Sequence, residues 1–302
     1  MKKILALVLI LALSISLFGC SSNEANNQAG EQAETEKFKA SMTFNGSSTL
    51  APVVSAIATD FIEDNKTWDK VGSFPENDIA IYVSSGGSSS GIKAVIEDTS
   101  DFGMVAREVK DEEKEKIENC NEFKLGMDAL TISVNPENPL CSLKDDLTSE
   151  EIKKIFSGEI KYWDELDSSL PHNEIVVVIR DLGGGAHEVF QKSIMGDTEV
   201  RADAIQAPSM GALVTKVIEN KDTIGYASYG MVNQNKGKLV PFKVDGIEPT
   251  AENIVNGSYK IARPLLVVKK GELTPQEQVF MDYVFSEEGT AIIEKMGFVP
   301  TK

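Results

Sequence analysis

Three short stretches of this 302-residue chain carry the residue types that can hold a small anion. They read Asn45-Gly46-Ser47-Ser48-Thr49-Leu50, then Ser84-Ser85-Gly86-Gly87-Ser88-Ser89-Ser90-Gly91, then Arg180-Asp181-Leu182-Gly183-Gly184-Gly185-Ala186. Each follows a strand-like run and precedes a helix-like one. A helix start leaves its first amide N–H groups unpaired and partially positive. Glycine lets a ligand approach the backbone, and hydroxyls add donors. In open α/β sheets, ligands bind beyond the carboxyl ends of the strands, where such turns lie. Three of them converging would surround one small tetrahedral anion. Arg180 is the formal charge best suited to it, because a guanidinium donates two parallel bonds to one oxyanion; Asp181 is its competing partner. Arg107 is a second candidate cation, with Glu108 and Asp101 as partners outside the site. His187 either donates to the anion or faces water in the first turn of the third helix.

The elements that must place these turns alternate between strand and helix, which predicts an α/β fold with largely parallel sheets. Ala40–Phe44, Ile79–Val83, Leu130–Val134, Ile175–Ile179 and Leu265–Val268 are short apolar or β-branched runs. Leu50, Val53, Val54, Ile57, Phe61 and Ile62 fall at helical spacing, as do Ile92, Val95 and Ile96, and Met210, Leu213, Val214, Val217 and Ile218.

The chain opens as an export signal: Lys2 and Lys3, then an apolar run from Ile4 to Phe18 that stops at Gly19-Cys20. A small residue before cysteine at that point resembles the bacterial lipobox, with Cys20 as the lipidated residue. Residues 1–19 are the expected signal peptide and 20–38 a polar tether, which holds the domain roughly 20–25 Å from a membrane. About 265 residues remain, enough for one large domain or two lobes with real cores. Cys120 and Cys141 could pair or stay as thiols. With 30 basic against 47 acidic residues, nucleic acid and anionic membrane surfaces are excluded as natural partners.

Other chemistries fit less well. Gly87-Ser88-Ser89-Ser90-Gly91 has the form of a nucleophile elbow, with Ser89 as nucleophile and His187 as base of a serine hydrolase. The chain holds only two histidines, and the turn is so rich in serine and glycine that a chance match is easy. Gly86 and Gly91 have P-loop separation, but Ile92 stands where the lysine is needed. No cysteine and histidine spacing fits zinc and no acidic loop fits calcium, so neither metal nor cofactor is expected.

Several further stretches, in order and spacing, carry a resemblance. They are Phe44 to Pro52, Gly91-Ile92-Lys93, Asp101-Phe102-Gly103-Met104 with Arg107-Glu108, and Ile155-Phe156-Ser157-Gly158 with Trp163. Ile224-Gly225-Tyr226, Arg263-Pro264-Leu265 and Gly297-Phe298-Val299-Pro300 complete the set. From about residue 41 to 302 the chain resembles the phosphate-binding component of bacterial phosphate ABC transporters, in the periplasmic-binding-protein superfamily. The resemblance implies a two-lobed clamp with the anion between lobes, each lobe a mostly parallel sheet flanked by helices. Lobe 1 would take residues 39–133 and 263–302, and lobe 2 residues 134–262, with hinges near Ser133 and Arg263. It also implies a non-enzymatic, monomeric lipoprotein on the outer face of the cytoplasmic membrane, which captures inorganic phosphate and delivers it to an ABC permease. Its anion contacts fall on Thr49, the Leu50 amide, Ser88, Arg180 and the amides of Gly184, Gly185 and Ala186; Ser48 and Arg107 complete the candidate set. The chain departs from the family at two places. Gly184-Gly185-Ala186 replaces the common Ser-Gly-Thr, and Ala106 stands where some members place an aspartate. Sulfate, molybdate and tungstate are therefore the rival ligands.

Overall fold

A computed structural model describes residues 38–301; the expected signal peptide, Cys20 and nearly all of the tether lie outside the described residues. The first half runs β1 (Ser41–Gly46), α1 (Ala51–Asn65), β2 (Ala80–Ser85), α2 (Ser88–Ile96), β3 (Phe102–Val105), α3 (Asp111–Lys116) and β4 (Cys120–Val134). The middle holds β5 (Asp146–Leu147), α4 (Ser149–Ser157), α5 (Trp163–Leu166), β6 (Val176–Arg180), α6 (Gly185–Phe190) and β7 (Ile205–Ala207). It continues with α7 (Met210–Glu219), β8 (Thr223–Ser228), α8 (Tyr229–Gln234), β9 (Val240–Pro241), β10 (Lys243–Val244) and α9 (Ala251–Val255). The chain closes with β11 (Ala262–Lys270), α10 (Pro275–Val284), α11 (Glu287–Lys295) and β12 (Val299–Pro300).

The main strands lie in the order β2-β1-β3-β11-β4-β8-β6-β7. At both ends neighbours are parallel, β1 with β2 and β3, and β6 with β7 and β8. The centre is antiparallel, because β11 runs against both β3 and β4, and β4 against β8. The expected parallel sheets are thus present at the flanks and joined by a long antiparallel pair.

Side chains divide the fold into two lobes. One core gathers Met42, Phe44, Val53, Ile57, Phe61, Phe102, Leu125, Leu265, Val267 and Phe280; the other spans Ala129 to Ile261. β11 shows why the first lobe needs helices on both faces of its sheet. Leu265 and Val267 point into that core, while Leu266 and Val268 point the other way, onto Ile92 and Val95 of α2. This is the strand period of two, and it sandwiches the sheet between α1 and α2. On β4 the change of core falls between Leu125 and Ala129, several residues before Ser133, since Ala129, Leu130 and Ile132 already pack in the second core. No helix among the described residues is long and apolar enough to cross a membrane. Cys120 and Cys141 are both free thiols.

Candidate functional site

The first turn is built by the end of β1. Gly46 has φ +138°, and a Cβ there would lie 2.2 Å from the Met104 carbonyl oxygen, so only glycine lets β1 end so close to β3. The Ser47 amide then donates to that same carbonyl at 2.7 Å. Ser47 Oγ accepts from the amides of Thr49 (3.2 Å) and Leu50 (3.4 Å). The Leu50 amide also reaches the Ser47 carbonyl at 3.1 Å, so this expected anion donor is turned back onto its own turn.

In the second turn, the Gly86 and Gly87 amides both donate to the Gly46 carbonyl, which ties the first two turns together. α2 begins at Ser88, whose hydroxyl is 2% exposed and accepts from the Ala106 amide at 3.1 Å. The third turn is held from below by a stack of aromatic rings. Tyr226 stacks on both Phe156 and Phe190, the latter with centroids 4.5 Å apart, while the two phenyl rings are tilted to each other. The Tyr226 hydroxyl accepts from the Arg180 amide at 2.9 Å, which fixes the end of β6. Burial pushes the Tyr226 phenol up, so it keeps its proton and can donate to Nδ1 of His187, 3.3 Å away. Burial also holds the His187 imidazole below its usual range, consistent with a neutral acceptor ring.

Arg180 is 3% exposed, and lobe 2 holds its outer edge. Its Nε donates to Asp181 (3.0 Å) and to the Ala207 carbonyl (3.1 Å), and one terminal nitrogen donates to Asp181 and Pro208. The other terminal nitrogen reaches across to Ser48 Oγ at 2.8 Å. Ser48 Oγ accepts a second bond, from the Met210 amide at 3.2 Å. The Gly184 amide donates to the Asp181 carbonyl at 2.8 Å and so closes the turn. Gly185 and Ala186 follow as the first helical residues, whose amides have no intrahelical acceptor.

These pieces surround a narrow void lined by Ser47, Ser48, Thr49, Gly87, Ser88, Arg180, Gly185, Ala186 and Arg263. The lobes touch around it, since a Cβ on Gly185 would lie 2.3 Å from Ser88 Oγ. Of the expected contacts, Ser48, Thr49, Ser88, Arg180, Gly185 and Ala186 line the void, while Leu50, Gly184 and Arg107 do not. Arg107 is instead held by Glu113, at 2.7 and 2.8 Å, with its Nε 3.3 Å from Glu188. It thus pairs with charges outside the void, but not with the expected Glu108 and Asp101 carboxylates; Asp101 is held by Lys39 and Thr43 instead. Ser89 and His187 are not joined either: the Ser89 hydroxyl donates to Glu188 at 3.0 Å, and His187 faces Tyr226.

Sequence reading missed the second cation of the pocket. Arg263 is 1% exposed, and its guanidinium donates to Asp128 at 2.7 and 2.9 Å, to the Ala106 carbonyl at 3.3 Å and to Thr49 Oγ1 at 3.2 Å. The available signal was an arginine at the head of an otherwise apolar run, Pro264 to Val268, since a charge in a buried strand needs a partner.

A family profile described as PBP superfamily domain matches residues 26–288. The phosphate-binding protein PstS of Staphylococcus epidermidis is 32% identical over 96% of this chain and 86% of its own length. That of Staphylococcus aureus is 30% identical over 84% of this chain and 76% of its own. The chain belongs to the PBP superfamily, among the PstS proteins. A solved PstS-like neighbour has the same lobes: a phosphate ABC transporter substrate-binding protein from Clostridium perfringens, with bound phosphate. It superposes with a TM-score of 0.75 at 33% identity, over 87% of this chain and all of its own. An ABC-type phosphate transport receptor from Vibrio cholerae shares the fold at 24% identity and a TM-score of 0.67. These relatives are named as binding proteins of a transporter.

Proposed function

We propose that this PstS-family chain captures inorganic phosphate in the void between its lobes and delivers it to an ABC permease. The observation that carries this reading is the void itself. Two buried guanidiniums, one from each lobe, face the same small space, together with four hydroxyls and the unpaired amides of Gly185 and Ala186. Such a lining suits a compact dianion and nothing apolar. The proposed ligand set is Ser47, Ser48, Thr49, Ser88, Arg180, Gly185, Ala186 and Arg263; the relatives' names supply phosphate as the anion. No nucleophile and base lie together in the void, which supports a role in binding without turnover. The chain passes from lobe 1 to lobe 2 on β4 and returns on β11, and capture closes the lobes about those strands. Cys20 is the proposed lipid anchor, residues 20–38 the tether, and the protein works as a monomer on the outer face of the cytoplasmic membrane.

Calorimetric titration of the anion-stripped protein with phosphate tests the reading. Tight binding by the wild type, weakened at least about a hundredfold by Arg180→Ala, is expected, because that change leaves the ligand's charge unpaired in a dry site. A folded wild-type protein that ignores phosphate would overturn it. Labelling with a fatty-acid analogue, lost on Cys20→Ser, tests the anchor.

A further inference from the structure

The last residues of the chain hook back onto the seam between the lobes. β12 pairs with β4 at Met127 and Gly126, just before Asp128. The approach is so close that a Cβ on Gly126 would lie 2.3 Å from the Val299 carbonyl oxygen. Beside it Phe298, a member of the lobe 1 core, lies against α8 of lobe 2. A Cβ on Gly230 would fall 2.3 Å from two of its ring carbons, so the ring rests on bare backbone. Side chains of α8 clasp the hook. Asn233 Nδ2 donates to the Gly297 carbonyl at 2.8 Å, and Gln234 Nε2 to the Met296 carbonyl at 2.6 Å.

The same glycine is joined to the void through its amide. Gly230 N–H donates to Asp128 Oδ1 at 3.4 Å, while Asp128 Oδ2 accepts Nε and one terminal nitrogen of Arg263 at 2.9 and 2.7 Å. That terminal nitrogen also donates to Thr49 Oγ1, and both Arg263 and Thr49 line the void. Asp128 and Arg263 stand opposite one another on β4 and β11. A buried carboxylate is oriented by the donors it accepts, and a buried guanidinium by the carboxylate it meets. We propose that Gly230 and Phe298 are positioning residues for anion capture: the C-terminal hook seats α8, the α8 amide orients Asp128, and Asp128 aims the Arg263 guanidinium into the void. The proposal rests on that void being the phosphate site. Neither Gly230 nor Phe298 lines it, so their effect passes through Arg263. Because ring and helix come from different lobes, the contact ties the aim of Arg263 to how the lobes stand.

The test is calorimetric titration of anion-stripped variants with sodium phosphate, well below their melting temperatures, where a change in stability alone leaves the measured affinity unmoved. Gly230→Ala drives a methyl into the Phe298 ring and should raise the phosphate dissociation constant about tenfold. Phe298→Leu removes the ring edge with less disturbance, and a loss of about threefold is expected; it carries the test if Gly230→Ala does not fold. Joining the two changes lets the new methyl take the place of the ring edge, and should recover most of the loss. In an Arg263→Gln protein, Phe298→Leu should cost no further affinity, because the route ends at Arg263. Wild-type affinity in the folded single variants would overturn the proposal, and so would an equal loss with and without Arg263. A wild-type protein that binds no phosphate would overturn the reading of the void, and the proposal with it.

Discussion

Removing either member of the Arg263–Asp128 pair leaves a charge that cannot turn to water, because the two are 1% and 0% exposed. Burial pushes the Asp128 carboxyl up, and the Arg263 guanidinium opposes that rise. Arg263→Gln is therefore expected to cost about 3–5 kcal/mol in urea unfolding, and Asp128→Asn a comparable amount. Arg263→Gln should also weaken anion binding; equal unfolding midpoints for variant and wild type would refute the pairing's structural role. His187 supplies a pH dependence. Its folded-state value is held below the ordinary 6.5 by burial, with Asp181 and Glu188 opposing. As pH falls, the unfolded chain binds this proton first, so stability present above 6.5 is lost below it, down through the folded value. His187→Gln should flatten the profile of melting temperature against pH in that window. A profile that His187→Gln leaves unaltered would exclude this residue as its source. At this scale the three turns and Arg180 were legible from turn chemistry, because helix starts and strand ends dictate where amides and hydroxyls gather; Thr49, Ser88, Gly185 and Ala186 were singled out within them only by the family resemblance. Arg263 was not, since its pairing with Asp128 joins side chains more than a hundred residues apart; nor was the hold on Arg107, which combines Glu113 on α3 with Glu188 of the other lobe.

The turns owe their convergence to backbone contacts that tolerate no side chain. Gly185 abuts Ser88 from the opposite lobe, so Gly185→Ala would drive its methyl into Ser88 Oγ. The lobes are expected to close less completely, weakening anion binding about tenfold or more, with little change in unfolding midpoint. Calorimetry and a melting curve on the one variant separate those effects; full binding by a folded variant would show that the lobes need not meet here. The elements themselves were mostly readable. The runs at Ala40–Phe44, Ile79–Val83 and Ile175–Ile179 form strands within a residue or two, and the spacing from Met210 to Ile218 forms α7. β4 was seen only as its last third, Leu130–Val134. Its earlier part, Cys120 to Lys124, mixes polar and apolar residues on an exposed face, and nothing local tells such a strand which way its neighbours run. The antiparallel centre is a tertiary fact, set by where β11 returns.

At the scale of the molecule, the lobes are held together at the rim as well as in the pocket. Glu188 of lobe 2 meets three groups of lobe 1: Lys110 at 2.7 Å, Arg107 at 3.3 Å and the Ser89 hydroxyl at 3.0 Å. None of these touches the void, so Glu188→Gln should spare the ligand contacts while loosening the closed form. Stopped-flow release of the anion is expected to quicken about tenfold, with affinity lowered in proportion. Release at the wild-type rate would show the rim contact to be idle. The two lobes were legible through the family resemblance, but their seam was not, because Gly126 and Asp128, where β4 passes from one core to the other, lie within one continuous strand and mark no end to it. That continuous strand has a mechanical consequence. β4 and β11 pair on both sides of the crossing, from Cys120 opposite Lys270 to Ala129 opposite Ala262, with a register shift at Leu125, and the Leu130 amide continues the ladder to the Ile261 carbonyl. A pair of strands laced edge to edge resists sliding and stretching but bends easily across its thin direction. Under the proposed closure the two halves would move like the covers of a book on one spine: a single angle would report whether the cleft is loaded, and a partner outside would have that one coordinate to sense.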